Sequence, residues 1–276
     1  RERLKRWLSE DAIGGVITFG GSIHGSYYNI KQFQEWAKYP LLVAADYERG
    51  LGQWMGGATL FPTNMALAAT GDSSLAYEQG KITGMEASAM GVHVTFSPVM
   101  DVNNNSENPI INFRSYSDDP QIVANFGTSF INGAQDHGLI ACVKHFPGHG
   151  NTSTDSHSSL PIIHGTRASL DSMELFPFQK ALSANLEMVM VGHISLPSLD
   201  DSGNPASHSH AITTGLLRDE WGYDGIIITD GMEMGGLTES TWAGESTVRA
   251  VEAGSDILLL PLSIDQAIDA LLDAVN

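Results

Sequence analysis

Seven short apolar runs punctuate the chain: GGVITFG (14–20), LLVAADYE (41–48), VHVTFSPVMDV (92–102), LIACVKHF (139–146), MVMVGHIS (188–195), GIIITDGM (225–232) and DILLLP (256–261). Each is continuously hydrophobic rather than alternating, the pattern of strands covered on both faces, as in a parallel sheet. Between them lie helix-like stretches, among them SLAYEQGKITGMEASAMG, PQIVANFGTSFINGAQDHG, LDSMELFPFQKALSANL, TTGLLRDEWGY and TWAGESTVRAVEAGS. Gly138, Gly222 and Gly254 each follow a helical run and precede a strand, where helix C-caps belong. The alternation predicts β/α repeats, wound either as an open sheet or as a barrel. The chain opens on the amphipathic segment RERLKRWLSE, so an eighth strand ahead of residue 1 would complete a (β/α)8 barrel, with SIDQAIDALLDAVN closing the ring. Residues 1–276 read as a single domain on this basis, with the first strand missing.

Composition narrows the choice of partner. The 276 residues are 42% hydrophobic and carry 14 basic against 32 acidic side chains, a formal charge of −18. Such a charge repels phosphate backbones and anionic membranes, so no nucleic acid is expected. No run approaches the roughly 20 apolar residues of a membrane span, and the opening segment lacks the apolar stretch of a signal peptide. The single cysteine, Cys142, sits in an apolar run and reads as a small core side chain.

Polar residues then fall in one place. Asp46 and Glu48, Asp101, Lys144 and His145, His193, and Asp230 all stand at the carboxyl ends of proposed strands. That edge is where parallel α/β enzymes assemble their chemistry. KHFPGHGNTSTDSH (144–157) follows one such strand. In it Asp155 and His157 are two apart, so in an extended segment they share a side and the carboxylate can orient the imidazole as an acid/base dyad. Gly148 and Gly150 are expected to permit positive φ in the turn. A metal reading would use His145, His149 and His157, but no compact ligand pattern accompanies them. For Arg114 the structural alternative is an ion pair with Asp118 or Asp119, and for Asp101 an anchor of the loop NNNSENP.

KHFPGHGNTSTDSH resembles the signature of glycoside hydrolase family 3 β-N-acetylglucosaminidases of the NagZ type, KH-F/I-PG-H/N-G, four residues, then D-S/T-H. AADYERG, FSPVMDVNNNSENPIINFRSYSDDP and LLRDEWGYDGIIITDGMEM resemble further family segments in the same order, over residues 14 to 262. The resemblance implies Asp230 as nucleophile, His157 as general acid/base and Asp155 as its orienting partner. It also implies Asp46, Arg114, Lys144 and His145 as sugar ligands, with His193 a further candidate at the barrel mouth. No metal and no other cofactor is implied. The implied reaction is retaining exo-hydrolysis of terminal β-N-acetylglucosamine, with a peptidoglycan fragment (muropeptide) as natural substrate, in a bacterial cytoplasm or periplasm. Where the family pattern has a substrate-holding arginine, DYERGLGQW places Trp54, available for stacking on a sugar or for packing. The rivals are a β-glucosidase or phosphorolytic family 3 enzyme, a metal-dependent amidohydrolase, and a non-catalytic glycan-binding barrel.

Overall fold

The computed structural model describes residues 1–11, 13–238 and 242–276. Thr241, at the start of one expected helix, lies outside them. Six strands form one parallel sheet: β1 (Gly15–Ile17), β3 (Leu42–Ala45), β5 (Val94–Thr95), β6 (Ile140–Phe146), β7 (Met188–Val191) and β8 (Ile226–Thr229), in that spatial order. A separate two-residue pair, β2 (Gly21–Ser22) with β4 (Met55–Gly56), has no counterpart in the sequence reading. The order in the main sheet follows the chain without reversal, so there is no switch point of the doubly wound kind and the sheet curls in one sense. The seventh expected strand is a single parallel bridge, Ile228 to Ile257, extended by bonds from Thr229 N to Ile257 O and from Met232 N to Leu259 O.

Period-two alternation explains the continuous hydrophobicity of these runs. Val43, Ala45, Ala141, Val143, Val189, Val191 and Ile227 pack outward in the cluster shared with the helices. Ala44, Val94, Cys142, Met188, Met190 and Ile228 pack with Phe96 in a second, inner cluster. The expected strand 92–102 is regular only at Val94–Thr95. Pro98 has no N–H to donate, yet pairing continues irregularly: Phe96 N bonds Ala45 O, Cys142 N bonds Ser97 O and Met100 N bonds Lys144 O.

Helices cover the outer face. Ser74–Met90 and Pro120–Gln135 match the sequence reading closely, and Asp119 caps the latter by accepting from Gln121 N. They lie close together because Gly80 and Gly133 meet the partner helix's backbone: a Cβ on Gly133 would stand 2.1 Å from Tyr77 O. The segment expected as one helix over 170–186 breaks into Arg167–Ser172 and Phe176–Ala181, with Pro177 in the first turn of the second, where its missing N–H is harmless. The first eight residues of TTGLLRDEWGY fall in a wide π-type helix, Ala211–Glu220, and the last three lie beyond its end. Gly254, at φ 114°, caps Ala243–Ala253 in a left-handed conformation, as expected. Among the described residues no helix is long and apolar enough to cross a membrane.

Candidate active site

The same alternation positions the charges. Asp46 follows Ala44 by two, Lys144 follows Cys142 by two and Asp230 follows Ile228 by two, so all three continue the inward-facing rows past the last apolar layer. They line a single cavity of about 430 Å³, with Phe96, Met190 and Leu259 beside them and Glu48, Arg114, His145, His149 and His157 around it. The structure therefore brings Asp230 and His157 to the same cavity.

Opposite charges are interlaced there. Lys144 Nζ reaches Asp46 Oδ1 at 2.6 Å and Glu48 Oε1 at 2.9 Å. Arg114 grips Glu48 in a fork, Nε to Oε2 at 3.0 Å and one terminal nitrogen to Oε1 at 2.7 Å. The ion-pair partner of Arg114 is thus Glu48, not Asp118 or Asp119. Burial alone would raise the pKa of Glu48, but Lys144 and Arg114 reverse the effect and hold it far below the usual carboxylate range. Burial would likewise lower Lys144, yet Asp46 and Glu48 push it well above its ordinary value. Asp46 is the more open carboxylate, with 27% of its side chain exposed against 10% for Glu48, and so the better placed to meet a ligand. From sequence Glu48 stands among the strand-end residues without a sugar-binding role, although the two-residue spacing in DYE puts it on the side of Asp46.

Asp101 is fully buried and anchors the neighbouring strand end rather than NNNSENP. It takes His145 Nδ1 at 2.7 Å and the His149 backbone N–H at 2.7 Å. The far nitrogen of His145 faces Arg114 at 3.4 Å. Asp230 accepts the Gly231 N–H at 2.8 Å. Burial works against its ionisation, but His145, His193, that N–H and Lys144 outweigh it and keep its carboxyl below the ordinary value. His193 is buried, with Nδ1 2.8 Å from Ser207 Oγ and Nε2 donating to Gly231 O at 3.0 Å. Both ring nitrogens are thus engaged within the protein, and His193 does not line the cavity.

His157 contrasts with these residues. Its side chain is 59% exposed, and Nδ1 lies 2.8 Å from Asp155 Oδ1. The pair forms through a turn rather than an extended segment: the same Asp155 oxygen accepts the His157 backbone N–H at 2.9 Å, the usual habit of Asp in a turn. With Nδ1–H held by the carboxylate, Nε2 is left free. Gly148 has the expected positive φ of 122°. Gly150 instead serves close packing, since a Cβ there would fall 1.7 Å from Val102 O.

Trp54 lines the cavity, 37% exposed, its indole N–H donated to Asp46 O at 2.7 Å and its ring edge-on to Phe19. Of the histidines in the metal reading, His149 has Nδ1 2.6 Å from Thr152 Oγ1 and Nε2 2.9 Å from Ser156 Oγ. Among the described residues no group of three or more His, Cys, Asp or Glu is placed to hold a metal ion.

A singly wound parallel sheet with charged side chains at its carboxyl edge is a TIM-like α/β fold. The model of the glycosyl hydrolase family 3 N-terminal domain matches residues 1–276, and the chain belongs to that family. It is 34% identical to β-hexosaminidase A of Pseudoalteromonas piscicida over 96% of this chain and 48% of that protein. It is 32% identical to a β-N-acetylglucosaminidase/β-glucosidase of Cellulomonas fimi over 92% of this chain and 47% of that protein. Among solved structures, a family 3 β-N-acetylglucosaminidase from Paenibacillus sp. str. FPU-7 superposes with a TM-score of 0.96 at 39% identity, covering 99% of this chain and 54% of that one. The chain spans about half the length of these relatives.

Proposed function

We propose that the chain is the catalytic barrel of a retaining exo-β-N-acetylglucosaminidase. The observation that carries the reading is the shared cavity: a carboxylate kept ionised at a strand end and an imidazole held by a carboxylate border the same space. In this scheme an Asp230 oxygen attacks the anomeric carbon as the C–O bond to the aglycone breaks. His157, as imidazolium, delivers its Nε2 proton to the departing oxygen. Water then cleaves the glycosyl ester, giving its proton to the now neutral His157. Asp155 stabilises the cationic form and fixes the tautomer.

Asp46, the most open member of the charge network, takes sugar hydroxyls, with Lys144, Arg114 and His145 shaping the same wall. His193 is better read as a support beneath Gly231 than as a sugar ligand. In the same scheme the sheet belongs to a full (β/α)8 ring, and the natural aglycone is a muropeptide. The name of the Cellulomonas fimi relative favours one further reading, additional activity on β-glucosides.

The test is a panel of nitrophenyl glycosides with the product anomer followed by NMR, with and without phosphate. Release of β-N-acetylglucosamine as the first-formed anomer supports the reading, and a glycosyl phosphate marks the phosphorolytic variant. First-formed α-anomer, or no turnover of any N-acetylglucosaminide, sinks it.

A further inference from the structure

The loop that carries His157 has one buried residue between two exposed ones. Asp155 and His157 have side chains 36% and 59% exposed, whereas Ser156 is 2% exposed. Its hydroxyl lies 2.9 Å from Nε2 of His149, itself 2% exposed. The direction of that bond follows from its neighbours. Thr152 Oγ1 donates its only proton to His149 O at 3.0 Å and accepts from Asn108 Nδ2 at 3.2 Å. With that proton given to His149 O, it meets His149 Nδ1, 2.6 Å away, as an acceptor, an assignment that places the proton of the imidazole on Nδ1. A neutral ring then offers Nε2 as an acceptor, and Ser156 donates to it.

The post that receives Ser156 is itself fixed. Asn108, 4% exposed, holds His149 O and Gly150 O as well as Thr152, and buried Asp101 takes the His149 N–H. On the other side of the loop, Gly235 N donates to His157 O at 3.1 Å.

From this arrangement we infer that Ser156 and His149 are positioning residues: their hydrogen bond is the joint that sets where the acid/base dyad stands over the cavity. A joint placed one residue from both members of the dyad fixes them together, while leaving their side chains free to face the substrate. Among the described residues, the backbone and side-chain bonds of the dyad other than that at His157 O are local to the loop, among Asp155, His157, Ser158 and Ser159. The Ser156 bond is thus the side-chain tie between this tip and the framework.

The inference rests on His157 being the acid/base group, and the experiment separates the two. Full-length Ser156→Ala, Ser156→Thr, His149→Asn, the double variant Ser156→Ala/His149→Asn and His157→Ala are compared by kcat/KM. One substrate is a β-N-acetylglucosaminide with an activated nitrophenyl leaving group and the other an unactivated disaccharide. A displaced acid costs rate only where the leaving group needs a proton, so Ser156→Ala and His149→Asn are each expected to lose about ten- to a hundredfold on the disaccharide and far less on the aryl glycoside. Ser156→Thr, which keeps the hydroxyl, should recover most of the loss. The double variant should be no worse than the poorer single one, because both remove one bond. Equal losses on both substrates, or additive losses in the double variant, overturn the joint. If His157→Ala is itself unselective, the acid/base assignment falls and takes the joint with it. A selective His157→Ala beside an unselective Ser156→Ala removes the joint alone.

Discussion

The floor of the cavity and the loop above it solve the problem of placing charge in opposite ways. On the floor, Lys144, Glu48 and Asp101 are almost entirely buried at strand ends, and each ion is held by at least one partner of the other sign or by backbone N–H groups. On the loop, Asp155 and His157 are exposed and touch chiefly each other. In the proposed mechanism, fixed buried charges suit binding and stabilisation of an oxocarbenium-like state, because they need no reorganisation as the reaction proceeds. A proton carrier has to change its charge twice in a turnover, and an exposed imidazole does so without leaving an uncompensated ion in the interior.

Kinetics offers the strongest way to break this contrast. Asp230→Asn should lower turnover by about 10⁴-fold or more for every leaving group while the fold stays intact, since no other oxygen replaces the attacking one. His157→Ala should cost about 10²- to 10⁴-fold on poor leaving groups and much less on activated aryl glycosides. Steady-state kcat/KM on a leaving-group series, together with labelling by a fluorinated glycoside, checks both. Persistent covalent labelling of the Asn variant would remove Asp230 from its role, and a flat His157→Ala series would remove the imidazole from its own.

Stability sharpens the same contrast with smaller effects. Lys144→Met strips Asp46 of its cation and leaves buried Glu48 with Arg114 alone, and should destabilise the fold by about 3 kcal/mol or more. Asp155→Asn breaks an exposed pair and should cost under about 1 kcal/mol. Denaturant midpoints of the two variants give the comparison. Similar shifts would mean that the floor's charges are better hydrated than their burial implies.

What the sequence made legible follows the same division. The strand ends could be read because an inward row of period two carries its register from apolar to charged residues: once Ala44, Cys142 and Ile228 face inward, so do Asp46, Lys144 and Asp230. The helix pair 74–90 and 120–135 could be read from the helix-like stretches between the strand runs, with Gly138 marking the end of the second. Partners reached across the fold could not. Nothing local ties Arg114 to Glu48, 66 positions away, or turns His193 toward Ser207 and Gly231. His193 stands at a strand end like the others, but its register hides it behind Gly231. The Asp155–His157 contact was right in its pairing and wrong in its backbone, because an Asp side chain can close a turn that mimics the proximity of an extended i, i+2 pair. Trp54 was visible as a departure, and only the fold shows its indole tied to the backbone of Asp46 with the ring at the cavity.

pH tests the boundary between the two regions, where His149 sits. Burial first, and then the nearby His145, pull its pKa from an ordinary 6.5 down to about 4, against opposing pulls from Asp101, its own backbone contact and Asp230. The group is depressed, so between those two values the unfolded chain binds a proton that the folded chain refuses. The stabilising contribution is therefore whole above pH 6.5 and is lost progressively as pH falls toward 4, a difference of roughly 3 kcal/mol at the lower limit. Buried His208, also drawn down to about 4, adds a slope in the same window. The floor carboxylates Glu48 and Asp101 are held below their ordinary values of 4.5 and 3.8, so their contribution is whole above those values and is lost as the pH falls below them. Denaturant unfolding at steps from pH 7 to 4.5 should show stability falling with pH in the wild type, and a shallower fall in His149→Asn, with the His208 component remaining. An unchanged slope in that variant would mean His149 is already charged in the folded state. Its Nε2 would then carry a proton, and Ser156 could meet it only as an acceptor.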